Sequence, residues 1–360
     1  MRWDNLRARR QDEADAGGVA QPLPLGLPEA RVRTFDTPGF RGITFYEIYA
    51  KSIINKVPSA SRVPFEWTIN PYRGCSHACT YCFARNTHTY LDLDAGHDFD
   101  TRIVVKVNAP ELLRKELAAP RWRGDHIAMG TNVDCYQRAE GRYRLMPPII
   151  EALRDYANPF SILTKGTLIL RDLDLLRQAS QVTRVSVAFS VGFVDETLWR
   201  SVEPGTPSPR RRLDAVRAFA DAGFHVGVLM APILPGITDT DDEIERTVAA
   251  IAAAGAASVT PLVLHLRPGA REWYGAWLAR THPTLADRYR ELYRRGPYAP
   301  KTYQREVTAR VRMAARRYGL NGARPGEARS LPPTSAQPTP AQPAQAQPAP
   351  QPEPTQLTLL

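Results

Sequence analysis

Asn70-Pro71-Tyr72-Arg73-Gly74-Cys75-Ser76-His77-Ala78-Cys79-Thr80-Tyr81-Cys82-Phe83-Ala84-Arg85 holds three of the four cysteines of the 360-residue chain. Three residues separate the first pair of thiols and two separate the second. Three thiolates on one tight loop can converge on a single soft metal centre. A zinc knuckle wants two residues between its thiols and a second such pair, and a closed zinc site needs a fourth ligand. His77, His88, His97 and Cys135 are the candidates for that fourth place. A four-iron cubane gives the other account, in which three irons take thiolates and the fourth stays open to a small molecule.

Working outward, the loop follows an apolar run, Phe65–Ile69, that reads as a strand. Five more major strands are predicted at His126–Met129, Ser161–Thr164, Val182–Ser190, His225–Ala231 and Val259–Leu264, with a lesser run at Ile103–Val107. Helical patterns alternate with them over Pro110–Ala118, Pro148–Tyr156, Leu168–Gln178, Pro209–Ala222, Asp241–Ala254 and Glu272–Ala279. Short Val/Ile-rich strands alternating with helices indicate a parallel sheet with crossover helices, either a partial barrel or an open sheet. Catalytic residues then belong at the C-terminal ends of the strands. Ser208 before Pro209 and the run Thr238–Asp241 read as helix starts, and Ala222-Gly223 as a stop.

The rest of the chain is organised around this repeat. Residues 1–61 form an N-terminal extension, charged and Gly/Pro-rich to about residue 30 and expected to be partly disordered. Residues 62–283 carry the βα repeat, and 284–330 a helical region with patterns at Leu285–Tyr293 and Tyr303–Tyr318. Residues 331–360 are a Pro/Ala/Gln-rich tail, expected to be disordered. Forty-seven basic residues, mostly arginine, face 37 acidic ones, and the charge of +10 favours a polyanionic partner. No signal peptide opens the chain and no run of ~18 apolar residues crosses a membrane. A cytoplasmic protein is expected, in which thiols stay reduced and serve metals or catalysis.

C-x3-C-x-aromatic-C after the first strand of a repeated βα chain resembles the radical S-adenosylmethionine (SAM) superfamily. The stretch Asn70–Arg85 narrows the resemblance to the spore photoproduct lyase-related, DNA repair photolyase-like branch. Gly130-Thr131-Asn132-Val133-Asp134-Cys135-Tyr136-Gln137, Leu163-Thr164-Lys165, Arg171-Asp172 and Ala231–Gly236 support the same branch. The likeness implies an α/β fold, a partial (β/α)6 TIM-like barrel. It implies that Cys75, Cys79 and Cys82 hold a 4Fe-4S cluster whose open iron SAM chelates. The reduced cluster would cleave SAM to a 5′-deoxyadenosyl radical that abstracts hydrogen, and a flavodoxin or ferredoxin would supply the electron.

The likeness also assigns individual residues. Tyr81 takes the aromatic place near the adenine and joins the catalytic set. Thr131 and Asn132 stand where a glutamate-bearing segment usually binds the methionine amino group. Lys165 at a strand end meets a carboxylate or phosphate as a point charge, and Ser190 is a hydroxyl contact to SAM. In spore photoproduct lyase a cysteine returns hydrogen to the product radical. Cys135 is the candidate for that role here, with an auxiliary cluster ligand or an ordinary cysteine as alternatives. Arg73 and Arg85 are candidates to support the cluster, Asp134 to assist or to cap a turn, and His265 to be structural. Arg121, Arg123, Arg138, Arg142, Arg144 and Arg210–Arg212 are candidate phosphate contacts to DNA. The end of the tail, Gln356-Leu357-Thr358-Leu359-Leu360, resembles a peptide that docks on the sliding clamp.

Overall fold

The computed structural model describes residues 8–10, 29–59, 61 and 63–322. Most of residues 1–28 and the tail with Gln356–Leu360 lie outside them. The main sheet contains, in chain order, β4 (Ile54–Lys56), β5 (Trp67–Ile69), β8 (Ile127–Met129), β9 (Phe160–Thr164), β10 (Val185–Ser190), β11 (Gly227–Ile233), β12 (Ser258–Val263) and β13 (Asn321–Gly322). Its order is β13-β12-β11-β10-β9-β8-β5-β4. Six neighbours, β5 to β12, run parallel in sequence order, which is the (β/α)6 arrangement expected from the alternation. Only β4 is antiparallel, on β5. Both faces of the central strands are buried, so they read as continuous apolar runs.

Helices close the outer face with the expected start signals. Ser208 accepts a hydrogen bond from the Arg211 amide at the head of Pro209–Asp221, and Thr240 does so for Glu243 at the head of Asp241–Ala253. Gly223 ends the first of these with φ +89°. Helix Lys301–Arg317 packs on Asp241–Ala253, where Arg310 reaches Asp241 at 3.2 Å and the Tyr318 hydroxyl donates to Glu245 at 2.8 Å.

A second sheet comprises β1 (Ala8–Arg10), β2 (Arg31–Phe35), β3 (Thr44–Ile48), β6 (Tyr72–Arg73) and β7 (Arg102–Lys106), ordered β1-β2-β3-β7-β6. The lesser apolar run Ile103–Val107 is therefore a strand outside the barrel, parallel to β3 and antiparallel to β6. Phe35, Phe40, Phe45 and Tyr143 pack in tilted and edge-to-face pairs beneath it, with centroids 5.3–6.2 Å apart. Glu116 ties residues 53 and 54 to the barrel by accepting both amides, at 2.9 and 2.7 Å. The cysteine loop is thus pinned at its entrance by two sheets: β5 belongs to one and β6 to the other.

Candidate active site

Cys75 is two residues past β6, and its amide donates to the Phe99 carbonyl at 2.9 Å. From there the loop turns under the C-terminal ends of the parallel strands. A cleft with about 900 Å³ of space free of protein atoms, part of it open to solvent, lies between the loop and those ends. Cys75, Cys79, Cys82, Tyr81, Thr131, Asn132, Lys165 and Ser190 all line it. Cys135 does not. It is 1% exposed and packed into the core, and burial, followed by the charge of Asp134, raises its thiol far above the ordinary range.

The donor set of the loop fits a cluster. All three thiols are free, and burial is the first cause that raises each of them. Asp134 adds to this at Cys75 and Glu203 at Cys79. Such thiols keep their protons until a cation displaces them, as metal ligands do. Cys75 and Cys79 also sense the charge of Cys82. Yet among the described residues no three His, Cys, Asp or Glu side chains form a group that could hold one metal ion. Three thiols on one cleft are the donor set of a polynuclear cluster with one open corner, whereas a closed zinc site needs a fourth protein ligand. His88, a proposed fourth zinc ligand, is buried with Nε2 2.8 Å from the Arg102 carbonyl, and His97 lies against Thr101. Of the four fourth-ligand candidates, only His77 lines the cleft.

What holds the loop comes from distant parts of the chain. Arg85 is fully buried and not a surface arginine. Its Nε and Nη2 donate to the Cys79 carbonyl at 3.2 and 2.9 Å, Nη1 donates to Gly96 O at 2.8 Å, and Nη2 meets Asp100 at 2.9 Å. The guanidinium fork is filled, with Phe99 and Trp273 against its faces. Gln137, also fully buried, donates to Gly74 O at 2.9 Å and accepts from the Ser76 amide at 2.9 Å. The amides of Ser76, Ala78, Thr80 and Cys82 are all bonded within the protein.

A third brace is the segment after helix Glu196–Val202. Thr80 N donates to Val202 O, and Gly205 N donates to His77 O, both at 3.0 Å. A Cβ on Gly205 would sit 2.1 Å from the Ser76 carbonyl oxygen, so only glycine allows this approach. Glu203 and Arg212, at 0% and 1% exposure, form an ion pair there. Glu203 also accepts the Tyr81 hydroxyl, and Arg212 donates to Ser190 O at 2.9 Å. This pair joins the cysteine loop to the end of β10.

Opposite the thiols, Lys165 Nζ donates to Ser190 Oγ at 2.9 Å, and Ser190 Oγ donates to Ala231 O at 2.9 Å. The ammonium lies 5.7 Å from the centre of the Tyr81 ring. Ser190 is largely committed to holding Lys165, which keeps two donors for an anionic ligand. Thr131 and Asn132 make no side-chain hydrogen bond among the described residues, which leaves both for a ligand. Asp134 both caps and braces: it accepts Tyr136 N at 2.9 Å, Thr164 Oγ1 at 2.6 Å and Lys165 N at 2.7 Å. Gly130, at φ +73°, lets β8 end against the Leu163 carbonyl, 1.8 Å from where a Cβ would stand.

His265 lines the cleft as well, and burial, helped by Arg267, lowers its pKa to about 4. The unfolded chain takes up this proton near the ordinary 6.5, before the folded one does. The stability so conferred is present above pH 6.5 and lost as pH falls toward 4. In urea titrations, His265→Phe is expected to shrink the stability difference between pH 7 and pH 4.5 by up to about 3 kcal/mol, leaving the share of the other buried histidines in place.

Comparison with known proteins matches the same region. A family model described as "Radical SAM superfamily" covers residues 69–251. "Uncharacterized protein Rv2578c" of Mycobacterium tuberculosis is 52% identical over 323 residues, 89% of this chain and 94% of that protein. "Uncharacterized protein MJ0683" of Methanocaldococcus jannaschii is 30% identical over 207 residues, 57% of this chain and 73% of that one. Among solved structures, spore photoproduct lyase complexed with dinucleoside spore photoproduct superposes with a TM-score of 0.55 at 17% identity, covering 76% of this chain and 79% of that chain. A variant of that lyase with bound AdoMet and the same dinucleoside gives 0.57 at 18% identity, over 76% and 78%. At such identities the structures speak for the fold, while the family model carries the membership. With its cysteine triad at the mouth of a six-strand parallel barrel, the chain belongs to the radical SAM superfamily, and its cofactors are a 4Fe-4S cluster and S-adenosylmethionine.

Proposed function

We propose that this chain is a lyase-like or transferase-like radical SAM enzyme that abstracts hydrogen from a nucleic acid, in DNA repair. One observation carries the enzymatic reading: three thiols, two buried and that of Cys82 partly exposed, line one cleft with Lys165, Thr131 and Asn132. Cys75, Cys79 and Cys82 would hold the cluster, which when reduced supplies the electron that cleaves SAM to the 5′-deoxyadenosyl radical. Lys165 meets the methionine carboxylate as a point charge held by Ser190. Thr131 and Asn132 offer side-chain oxygens to the amino group, and Tyr81, tied to Glu203, bounds the adenine. Val133, Leu229, Pro232 and Leu264 make the walls apolar and keep water from the reacting carbon.

Support for DNA is the basic balance of the chain and the shared fold with spore photoproduct lyase. The structure sorts the candidate arginines. Arg121 and Arg123 precede β8 and so belong to the far end of the barrel, while Arg138 follows it on the cleft side. Arg212 is buried in its pair with Glu203, which removes it from any phosphate contact. A cytoplasmic enzyme served by flavodoxin or ferredoxin, and tethered to a sliding clamp by Gln356–Leu360, completes this proposal.

A second reading is favoured by the position of Cys135. Outside the triad no thiol lines the cleft, so hydrogen return by a cysteine has no donor there. That suits modification of a peptide, RNA or small molecule. The test is anaerobic reconstitution, reduction and assay for 5′-deoxyadenosine with and without single-stranded DNA. Nucleoside formation that DNA increases is the expected result. Four bound irons with no nucleoside would point to a non-catalytic iron–sulfur module, and nucleoside formation indifferent to DNA would favour the second reading.

A further inference from the structure

At the mouth of the cleft stands an aromatic ladder that the cofactor site leaves unused. Phe83 and His265 both line the cleft, with ring centroids 5.6 Å apart and planes inclined by 40°. His265 stacks in turn on Tyr298, at 5.5 Å and 27°. Tyr298 is 43% exposed, so three rings step from the cleft wall out to solvent. The Arg267 guanidinium lies 5.3 Å from the centre of the Phe83 ring. It is exposed and makes no ion pair among the described residues.

Hydrogen bonds to the backbone hold the ladder in place. His265 and Tyr298 form an antiparallel bridge, Leu266 N donates to Pro297 O at 2.7 Å, and the Tyr293 hydroxyl donates to Leu264 O at 2.7 Å. The rings are therefore fixed to the end of β12 and pay little entropy when something stacks on them. His265 stays neutral at physiological pH, which leaves an uncharged π face inside the stack.

Rigid, half-exposed rings beside an unpaired arginine match the chemistry of nucleotide recognition. Bases stack on aromatic faces whatever their sequence, and arginine meets the adjoining phosphate. An enzyme that acts on a base must also hold that base outside the duplex stack. We infer that the outer face of Tyr298, backed by His265 and Phe83, receives a nucleobase of a single-stranded or extruded nucleotide, with Arg267 on its phosphate. This inference rests on the nucleic-acid reading above and names the contact that reading lacked.

The test is fluorescence anisotropy with labelled penta-thymidylate and a fully abasic strand of the same length. The protein is the reconstituted holoenzyme with SAM. Tyr298→Ala is expected to weaken penta-thymidylate about tenfold, the worth of one base stack, and to leave the abasic strand unchanged. Tyr298→Phe keeps the ring and is expected to bind as the wild type does. Arg267→Gln should weaken both strands and lower the salt slope by about one. Equal weakening of both strands by Tyr298→Ala, or none, overturns the inference, as does a wild type that binds an aromatic peptide and neither strand. DNA-stimulated nucleoside formation alongside unaltered affinity in Tyr298→Ala would sink the ladder and leave the enzymatic reading standing. Base-dependent binding without nucleoside formation would do the reverse.

Discussion

Alanine at Cys75, Cys79 or Cys82 is expected to cut 5′-deoxyadenosine formation by about 10³-fold or more, equivalent to about 4 kcal/mol of barrier. Each variant removes one thiolate from a set that offers three, and the loop has no spare. His77 is the near candidate, yet its Nδ1 is turned to Asp134 at 3.4 Å. Cys135 is shut in the core. Iron and sulfide content and the visible charge-transfer band after reconstitution check the loss independently of turnover. The apoprotein variants should melt near the wild type, because alanine removes only one side-chain heavy atom from each site. Cys135→Ala is the contrasting control and should load iron as the wild type does. If it emptied the site, the assignment of ligands would be wrong.

Glu203→Ala is expected to cost about 3–5 kcal/mol of stability, the penalty for stranding a buried charge. That is a large share of the 5–15 kcal/mol a domain usually has. Arg212 is 1% exposed, and its Nε already lacks a partner, so it cannot turn to water or find a second acceptor when the carboxylate goes. The Tyr81 hydroxyl loses its acceptor in the same change. Burial, the first cause acting on Glu203, raises its pKa, while Arg212 opposes the rise. The double variant Glu203→Leu, Arg212→Met should recover most of the stability, because apolar groups of similar volume bear burial without pairing. Urea titration of the three proteins measures it, and a double variant no better than Glu203→Ala would refute the stranded-charge account.

Legibility in the sequence followed range. The cysteine loop could be read because its chemistry is local: residue types and a spacing of a few positions suffice. The six parallel strands could be read because short, mostly apolar runs recur between helical patterns, and the central ones are apolar on both faces. Strand β7 carries a similar run, yet β3 draws it into the second sheet, and a short apolar run does not name its partner. Arg85 looked like any arginine in a chain rich in them. Its burial depends on Asp100, Phe99 and Trp273 closing round it.

The sequence by itself determined the cysteine loop, the βα alternation and the strand ends where Thr131, Asn132, Lys165 and Ser190 stand. Tertiary structure alone decided which of these share a cleft, that Cys135 is excluded from it, and that Glu203 and Arg212 brace it. It also decided the ladder from Phe83 through His265 to Tyr298. The physical reason is separation along the chain: Tyr81 meets Glu203 across 122 positions and Ser76 meets Gln137 across 61. Contacts of that range form only when strand pairing has closed the loops between them, and no local pattern records them.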